Sequence, residues 1–449
     1  MKVKKPVLLI AGMLLAGSTI MMPAVSAQTT KTITFLDVTD SGHGKYYFMK
    51  NVLIPAFEKK YPTIHVNLIS VPFAQFDPKL SALVASGNAP DVWSSWGASG
   101  LMDYKVRGLI ANLTPYIKKD HWSNPNIPQR LFKTYNFGGK QYAIPVAFFP
   151  SFLIYNKTIF KQDHVRFPNY AWGSKQWTWA KMVSLAKKVT RNYGKPNAVY
   201  GLNWALGNYD SYGWEFGIDL YTNKNVYQTG YATGNNFGNP KYINAIQQFE
   251  NLIYKDKVSP TPAITQAIAG TGDAFLTGKV AMETNIGLLL GEAKQTGMQF
   301  GIAPIPTGPT GLAPSVLYTA PMMMSSKTQH PNSAMKFIEF FASPEGQKLW
   351  VQTTGFPPAD QKAAQIWFHS FAKNGVSAQQ LEYMTKESIA HGKESPNHTV
   401  AGYAQISTFL TNNLQPIFTE DKSPAKVLPT LVNPFNQLLK QIKQQTSLH

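Results

Sequence analysis

Apolar and polar positions change period in a regular order after the N-terminal stretch. Residues 31–38 and 64–71 are predicted strands, because both are rich in apolar and β-branched residues and the second alternates. The segment that ends near Tyr61 and the segment 73–86 carry apolar residues at helical spacing instead. A third strand is predicted to begin at Pro90. This order predicts a parallel sheet with crossover helices, in which ligands bind at the carboxyl ends of the strands.

Two short apolar segments follow, with a proline on either side of the residues between them. Strands are predicted at 142–144 and 152–155, where β-branched and aromatic residues are enriched. The prolines hold the intervening residues semi-extended. This connection ends in Phe148 and Phe149, whose rings fit either the wall of a ligand site or an ordinary buried strand.

Helical periodicity is clearest in the C-terminal third of the chain. Apolar residues recur at i, i+3/i+4 and i+7 from Asn332 onward, which predicts a helix with one face in the core. Ser343, Pro344 and Glu345 are typical of a helix start, with a capping serine, a proline at the first position and an early acid. Strands followed by helices over 449 residues predict the α/β class and at least two domains.

The first 27 residues have the pattern of a signal peptide. Three lysines precede an apolar run at residues 7–20, and residues 25–27 form a small-x-small cleavage site. The apolar run is too short for a stable bilayer span. The sequence therefore predicts export and a mature chain that begins near Gln28.

Composition restricts the chemistry further. The chain has no cysteine, which excludes disulfides, thiolate nucleophiles and cysteine-ligated metal sites. The formal net charge is +18, from 42 basic and 24 acidic residues, but the lysines are scattered, which is not typical of nucleic-acid binding. Charged residues make up only 15% of the chain and acids are the scarce kind, which suggests a protein adapted to low external pH.

Enzyme and metal motifs are not found in the sequence. There is no H-E-x-x-H zinc helix and no G-x-S-x-G nucleophile elbow, and residues 42–45 lack the spacing of a phosphate loop. Asp210 and Glu215 are the acids within an aromatic-rich loop, and they are the weak basis for a secreted glycosidase as an alternative. We predict no catalytic residue, no metal and no cofactor.

Several motifs, in order along the chain, resemble the extracellular solute-binding proteins of carbohydrate ABC importers, the family of maltose-binding protein. Residues 139–157 end in Tyr-Asn-Lys and resemble the cleft-lining segment of that family. Residues 86–92 resemble its S-G-x-x-P-D-[VI] signature, and residues 275–285 its F-x-x-G-x-[VA]-A-M signature. Residues 334–347 match A-x-K-F-[IL]-x-F-x-x-S-P-E-G-Q. The resemblance spans about residues 32–442.

This resemblance implies a periplasmic-binding-protein-like α/β fold. Two α/β lobes are joined by a hinge of about three crossovers, and a ligand cleft lies between them. Residues 28–137 and 300–352 are predicted to form the N-terminal lobe. Residues 138–299 and 353–449 are predicted to form the C-terminal lobe.

A sugar site needs aromatic rings for the C–H face of the ligand and polar side chains for its hydroxyl groups. The family pattern places such residues in the loops after strands and at the crossovers. The expected ligand-binding residues are Asp40, Ser41, Trp96, Phe149, Trp204, Asp210, Trp214, Glu215, Asn285, Tyr318 and Phe356. Phe149 stands where maltose-binding relatives carry an acid, and Leu288 stands where they carry an aromatic residue, so maltose itself is not the expected ligand.

The resemblance also implies the function. We expect an exported, monomeric, non-enzymatic subunit, extracellular or periplasmic and held at the cell surface. It would capture a sugar or oligosaccharide by lobe closure and deliver it to an ABC transporter permease. A polyamine, iron or a similar small solute stays an alternative, because related binders use the same hinge.

Overall fold

The computed structural model describes residue 1 and residues 30–39, 44–94, 100–270 and 272–446. Apart from its first residue, the predicted signal peptide therefore lies outside the described residues. Within these ranges the strands, in chain order, are β1 (Lys31–Thr39), β2 (Ile64–Pro72), β3 (Val92–Ser94), β4 (Asn136–Phe137), β5 (Lys140–Gln141), β6 (Ile144–Phe149), β7 (Ser151–Asn156), β8 (Asn203–Trp204), β9 (Met282–Ile286), β10 (Phe300–Ala303), β11 (Ser315–Met324) and β12 (Gly392–Glu394).

Helices connect and cover these strands. The α-helices are α1 (Lys45–Phe48), α2 (Ile54–Lys60), α3 (Phe76–Ala85), α4 (Leu101–Val106), α5 (Thr114–Lys119), α6 (Gln129–Lys133), α7 (Lys157–Gln162), α8 (Trp179–Val189), α9 (Val226–Thr229), α10 (Pro240–Ile253), α11 (Pro262–Ala269), α12 (Leu288–Gln295), α13 (Pro331–Phe341), α14 (Pro344–Thr354), α15 (Ala364–Phe368), α16 (Ala378–His391), α17 (Pro396–Thr399), α18 (Tyr403–Thr419), α19 (Pro424–Val427) and α20 (Val432–Thr446). None of the described helices is both long enough and apolar enough to cross a bilayer.

The first sheet has the strand order β12-β11-β3-β1-β2, and β6 also pairs with β11. β1 lies between β2 and β3 and is parallel to both, as the sequence pattern predicts. Phe35 and Leu36 on β1 are fully buried, because helices cover both faces of the sheet. On one face the ring of Phe35 packs edge-on against Phe337 of α13, with 5.1 Å between ring centroids. This sheet and its helices are called the first lobe below.

The second sheet has the order β10-β7-β9-β8. β7 is antiparallel to both β10 and β9, and β8 is parallel to β9. Phe152 and Ile154 of β7 are fully buried in the core of this second lobe, together with Trp367 and Phe371. α8, α10 and α18 complete the lobe on the side of the edge strand β8.

Pro150 alone separates β6 in the first sheet from β7 in the second. Proline has no N–H to give to a ladder, so the chain can leave one sheet and enter the other at this residue. The chain changes sheet again between β10 and β11, and β12 then lies beside β11 in the first sheet. β11 itself is shared, since its first residues lie against the second-lobe core at Val316 and its last residues pair with β3.

The sheet changes do not coincide with the predicted lobe boundaries. β6 belongs to the first sheet although residues 138–299 are predicted for the C-terminal lobe, and β10 belongs to the second sheet although 300–352 are predicted for the N-terminal lobe. β12 lies in the first sheet, inside the range 353–449. The physical reason is local: Gly138 and Gly139 form the turn of the β4–β5 hairpin. A turn shows a change of direction, but it does not show which sheet the next strand joins.

Candidate functional site

Three predicted ligand-binding residues, Asp40, Ser41 and Trp96, lie outside the described residues. The first two directly follow the carboxyl end of β1, and Trp96 follows that of β3. This edge is where parallel sheets bind ligands. Their contribution to ligand binding stays a prediction.

A cavity of about 430 Å³ lies between the lobes at this edge. The first lobe lines it with Gly44, just before α1, with Thr353 and Thr354 at the end of α14, and with Gly355 and Phe356 after that helix. The second lobe lines it with α12 and with Ser370 and Phe371. Because α1 follows β1 and α12 follows β9, the carboxyl ends of strands from both sheets meet at this cavity.

The lining of this interlobe cavity combines rings with polar side chains. Lys294 lies over the ring of Phe371, with 5.9 Å between its Nζ atom and the ring centroid. The other polar side chains that line the cavity are Glu292, Gln295, Thr353, Thr354 and Ser370. The Thr354 and Ser370 hydroxyl groups already donate to the Trp350 and Ile366 carbonyls, so they can only accept from a ligand. Together with the acid, the base, the amide and the Thr353 hydroxyl, they suit a polar, largely uncharged ligand.

Phe149, Phe356 and Tyr318 meet where the chain crosses between the lobes. Phe149 is opposite Tyr318 in the β6–β11 ladder, and its ring lies edge-on to Phe356 with centroids 6.1 Å apart. Phe149 is 5% exposed and Phe356 is 7% exposed, so both rings serve mainly as core, the plainer of the two readings of Phe149. Of the two, Phe356 lines the interlobe cavity. The Tyr318 hydroxyl accepts a hydrogen bond from the Gly207 N–H at 3.2 Å, which ties the crossover to the second lobe.

Trp204, Asp210, Trp214 and Glu215 gather inside the second lobe instead. Asp210 is fully buried, and its burial, followed by the charge of Asp219, raises its pKa from 3.8 to about 7. Burial also raises the pKa of Glu215 well above its usual range. The indole of Trp214 donates to Asp219 at 3.0 Å, and Trp204 packs on other rings of the lobe. These residues do not line the interlobe cavity.

Asn285 is engaged by a buried acid of its own strand. Its amide donates to Glu283 at 2.6 Å, and Asn203 donates to the other oxygen of Glu283 at 2.7 Å. Burial and the nearby Asp273 raise the pKa of Glu283 well above its usual range. The Asn285 amide group therefore already has partners within the second lobe.

Contacts between the lobes also form on the far side of the cleft. The Gly402 N–H donates to the Asp103 carboxylate of α4 at 2.5 Å. The neighbouring Ala401 N–H donates to the Gly230 carbonyl at 2.8 Å, which anchors this segment within the second lobe. Burial raises the pKa of Asp103 from 3.8 to about 6, which the bond from Gly402 partly offsets. Gly100 lies so near this contact that a Cβ atom there would be 1.6 Å from the Asn397 carbonyl oxygen. Close approach of the two backbones requires glycine at this position.

Sequence reasoning missed most residues that line the interlobe cavity. Gly291 and Ser370 carry no motif, since a helix surface that faces a cavity has the same composition as one that faces water. Only the order of the elements could have predicted that α12 lines the cavity, because α12 follows the carboxyl end of β9 and ligands bind at that end of a strand. The Asp103–Gly402 contact joins residues 299 positions apart, and no local pattern indicates it. Within the described parts of the chain, no cluster of His, Asp and Glu could hold a metal ion.

The fold is that of ABC substrate-binding proteins. An ABC substrate-binding protein from Listeria monocytogenes, solved in complex with cycloalternan, superposes with a TM-score of 0.74 at 21% identity, covering 92% of this chain and 99% of that one. UgpB from Mycobacterium tuberculosis, solved in complex with glycerophosphocholine, superposes with a TM-score of 0.69 at 20% identity, with coverages of 92% and 99%. Two α/β lobes with a cleft between them, as predicted, are therefore confirmed.

The family is defined by sequence. The sequence model of the bacterial extracellular solute-binding proteins matches residues 40–348, more than half of the chain. This protein belongs to that family. The multiple sugar-binding protein of Streptococcus mutans serotype c is 25% identical over 332 residues, which cover 68% of this chain and 71% of that protein.

Proposed function

We propose that this protein captures a sugar or oligosaccharide between its lobes and delivers it to the permease of an ABC transporter. The observation that carries the proposal is the interlobe cavity, which both lobes line with ring edges, hydroxyl groups and an amide. Sugars present C–H faces to rings and hydroxyl groups to such side chains. The names of two similar proteins, a multiple sugar-binding protein and a cycloalternan complex, support the same class of ligand.

The mechanism is binding by closure, without catalysis. Contacts such as Gly402 with Asp103 form only where the lobes meet, so they add to the stability of the closed arrangement. Closure removes water from the cavity, which strengthens hydrogen bonds to the ligand. In this proposal the chain is an exported monomer at the cell surface, and the permease recognises its closed form.

A polyamine or ferric ion fits the cavity less well. Spermidine needs several carboxylates and a ferric ion needs several anionic ligands, whereas Glu292 is the acid among the described lining residues and Lys294 adds a positive charge. A phosphate-containing solute could use Lys294, and the glycerophosphocholine complex of UgpB gives a concrete comparison. These ligands belong in the same test.

Differential scanning fluorimetry tests the proposal. The ligands are maltotriose, cellotriose, mannotriose, trehalose, raffinose, spermidine, ferric citrate and glycerophosphocholine. A ligand at 100 times its dissociation constant stabilises the folded protein by about 2.7 kcal/mol. We expect at least one saccharide to do so and the other solutes not to. Stabilisation by spermidine, ferric citrate or glycerophosphocholine alone would contradict the proposal.

A matched pair of variants locates the site. Gly291 lines the cavity on α12, and a Cβ atom there would meet nothing within 4 Å. Gly291→Phe fills part of the cavity and should weaken saccharide binding at least tenfold, as measured by titration calorimetry. Gly291→Ala improves the helix by up to about 1 kcal/mol and should leave binding within threefold. Equal binding by all three proteins would place the ligand elsewhere.

A further inference from the structure

A second, larger cavity lies wholly within the second lobe. Its volume is about 490 Å³, inside the range of about 300–1,000 Å³ that is typical of small-molecule sites. It is bounded by the end of β8, the C-terminal half of α10, α11 and the last turn of α18. It shares no lining residue with the interlobe cavity. We call it the aromatic cavity, after the rings described next.

Five rings line this aromatic cavity, and they are fixed by one another. Tyr212 stacks on Phe249 with centroids 4.2 Å apart, and Trp204 meets the same Phe249 edge-on at 5.2 Å. Tyr209 stacks on Phe418 at 5.4 Å with an angle of 7° between the planes. Each ring is therefore held in one orientation before any ligand arrives, which reduces the entropy cost of binding.

The polar groups of the aromatic cavity carry no formal charge. Its described lining contains no Lys, Arg, His, Asp or Glu, and its polar side chains include Asn203, Thr265 and Gln266. Tyr209 and Tyr212 also belong to the lining, and no hydrogen bond joins either hydroxyl group to another described residue. A charged ligand would lose its hydration without an opposite charge to replace it.

We propose that the aromatic cavity is a second binding site, for an uncharged saccharide unit. A pyranose ring has apolar C–H faces that stack on fixed rings and equatorial hydroxyl groups that reach tyrosine hydroxyl and amide groups. Neutral lining and ring walls suit this ligand, whereas a phosphate ester, a polyamine or an amino acid would lack a counter-charge. The inference goes beyond the proposed function, because it would hold whatever the interlobe cavity binds.

Variants on α11 make the site testable. Ala269 lines the aromatic cavity at the end of that helix, so Ala269→Trp places an indole at its wall. Ala267 is an exposed residue on the same helix that does not line the cavity, so Ala267→Trp is the matched control. Both changes are combined with Gly291→Phe, which weakens binding in the interlobe cavity, so that the effect of each α11 variant on the remaining binding reports on the aromatic cavity.

The probes are maltotetraose, cellotetraose and mannotetraose at up to 10 mM, with 4-nitrophenol as an aromatic probe, in titration calorimetry. We expect at least one tetrasaccharide to bind the Gly291→Phe protein, to bind equally in the presence of Ala267→Trp and to bind at least tenfold more weakly with Ala269→Trp. Binding should also change tryptophan fluorescence, and Trp204→Phe should remove most of that change.

Three outcomes would overturn the proposal. One is the loss of all saccharide binding in Gly291→Phe while the wild type still binds, which would leave the proposed function intact. Another is saccharide binding that Ala269→Trp does not weaken although its circular dichroism and melting temperature match the wild type. The third is binding of 4-nitrophenol alone, which would make the aromatic cavity a site for flat aromatic compounds.

Discussion

Two buried carboxyl groups of the first lobe are paired with lysine, whereas two buried carboxyl groups of the second lobe have no basic partner among the described residues. In the first lobe Asp37 pairs with Lys45 at 2.6 Å, and both side chains are almost fully buried. Glu339 of the same lobe pairs with Lys336 at 3.1 Å, and that pairing partly offsets the effect of burial on its pKa. In the second lobe Glu215 and Glu283 are buried, and within the described residues neither lies within 4 Å of a basic group.

This difference indicates two different dependences on pH. A buried acid that is paired with lysine can stay ionised at neutral pH, whereas an unpaired one must be protonated to avoid the cost of desolvation. The folded pKa of Asp210 is about 7 against 3.8 for an ordinary aspartate. A raised folded pKa gives stability that is fully present below the unfolded pKa and is lost as the pH rises through the folded one. Asp210, Glu215 and Glu283 therefore make the second lobe more stable at acid pH than at neutral pH.

The largest expected effect is that of pH itself. Between pH 4 and pH 8 the raised pKa of Asp210 alone corresponds to a loss on the order of 4 kcal/mol in unfolding free energy, and Glu215 and Glu283 add to it in the same direction. Urea unfolding at pH 4, 6 and 8 measures this. Stability that is constant or rises with pH over that range would contradict the comparison.

Breaking the first-lobe pair should have the next largest effect. Lys45→Met leaves the Asp37 carboxylate buried beside an apolar side chain, which typically costs about 3–5 kcal/mol. The double variant Lys45→Met/Asp37→Leu removes both charges of the pair and should recover more than half of that loss. Urea unfolding at pH 7 gives both values. A loss below about 1 kcal/mol for the single variant would mean that the pair is not needed to compensate Asp37.

A smaller effect of opposite sign is expected in the second lobe. Glu215→Gln replaces a buried acid by a neutral amide of the same shape, so it should stabilise the protein by about 1–3 kcal/mol at pH 8 and change little at pH 4. Glu345→Gln, at an exposed position of the first lobe, is the control and should stay within about 0.5 kcal/mol at both pH values. Equal effects of Glu215→Gln at both pH values would rule out titration as the cause.

The smallest expected effect comes from removing one helix cap in each lobe, and it tests whether the two lobes unfold separately. Ser343 caps α14 in the first lobe by accepting from the Gly346 N–H at 3.2 Å, and Ser377 caps α16 by accepting from the Gln380 N–H at 3.1 Å. Each serine-to-alanine change should cost about 1 kcal/mol. If the lobes unfold separately at pH 8, each change should shift only one calorimetric transition. Shifts of both transitions by either variant would show a single cooperative unit.

Local order could be predicted from sequence, whereas contacts across long sequence separations could not. The parallel arrangement of β1, β2 and β3 and the serine cap at Ser343 follow from short-range periodicity and helix-start chemistry, and the structure shows both. The hydrogen bond from Asn285 to Glu283 could not be predicted without knowing which residues face that strand. The close approach at Gly100 needed the Asn397 backbone, almost 300 residues away.

The same distinction between local order and long-range contacts applies to the candidate site residues. The start of α12 lies next to the interlobe cavity, a position that follows from the order of strands and helices because α12 comes directly after β9. The family resemblance led to Asp210 and Glu215, whose positions in a polar, aromatic loop look accessible in the sequence. Both prove to be interior, because the rings around them in that loop form the core of the lobe.

Pro150 limits how the two halves can move. Since one residue separates β6 from β7, the Cα atoms of Phe149 and Ser151 can never be more than about 7.6 Å apart. The sheets are thus pinned at one point, and any rearrangement must be a rotation about that pin rather than a sliding apart. Spectroscopic labels placed next to the pin would report almost no change in separation, and labels at the distant rims would report the largest.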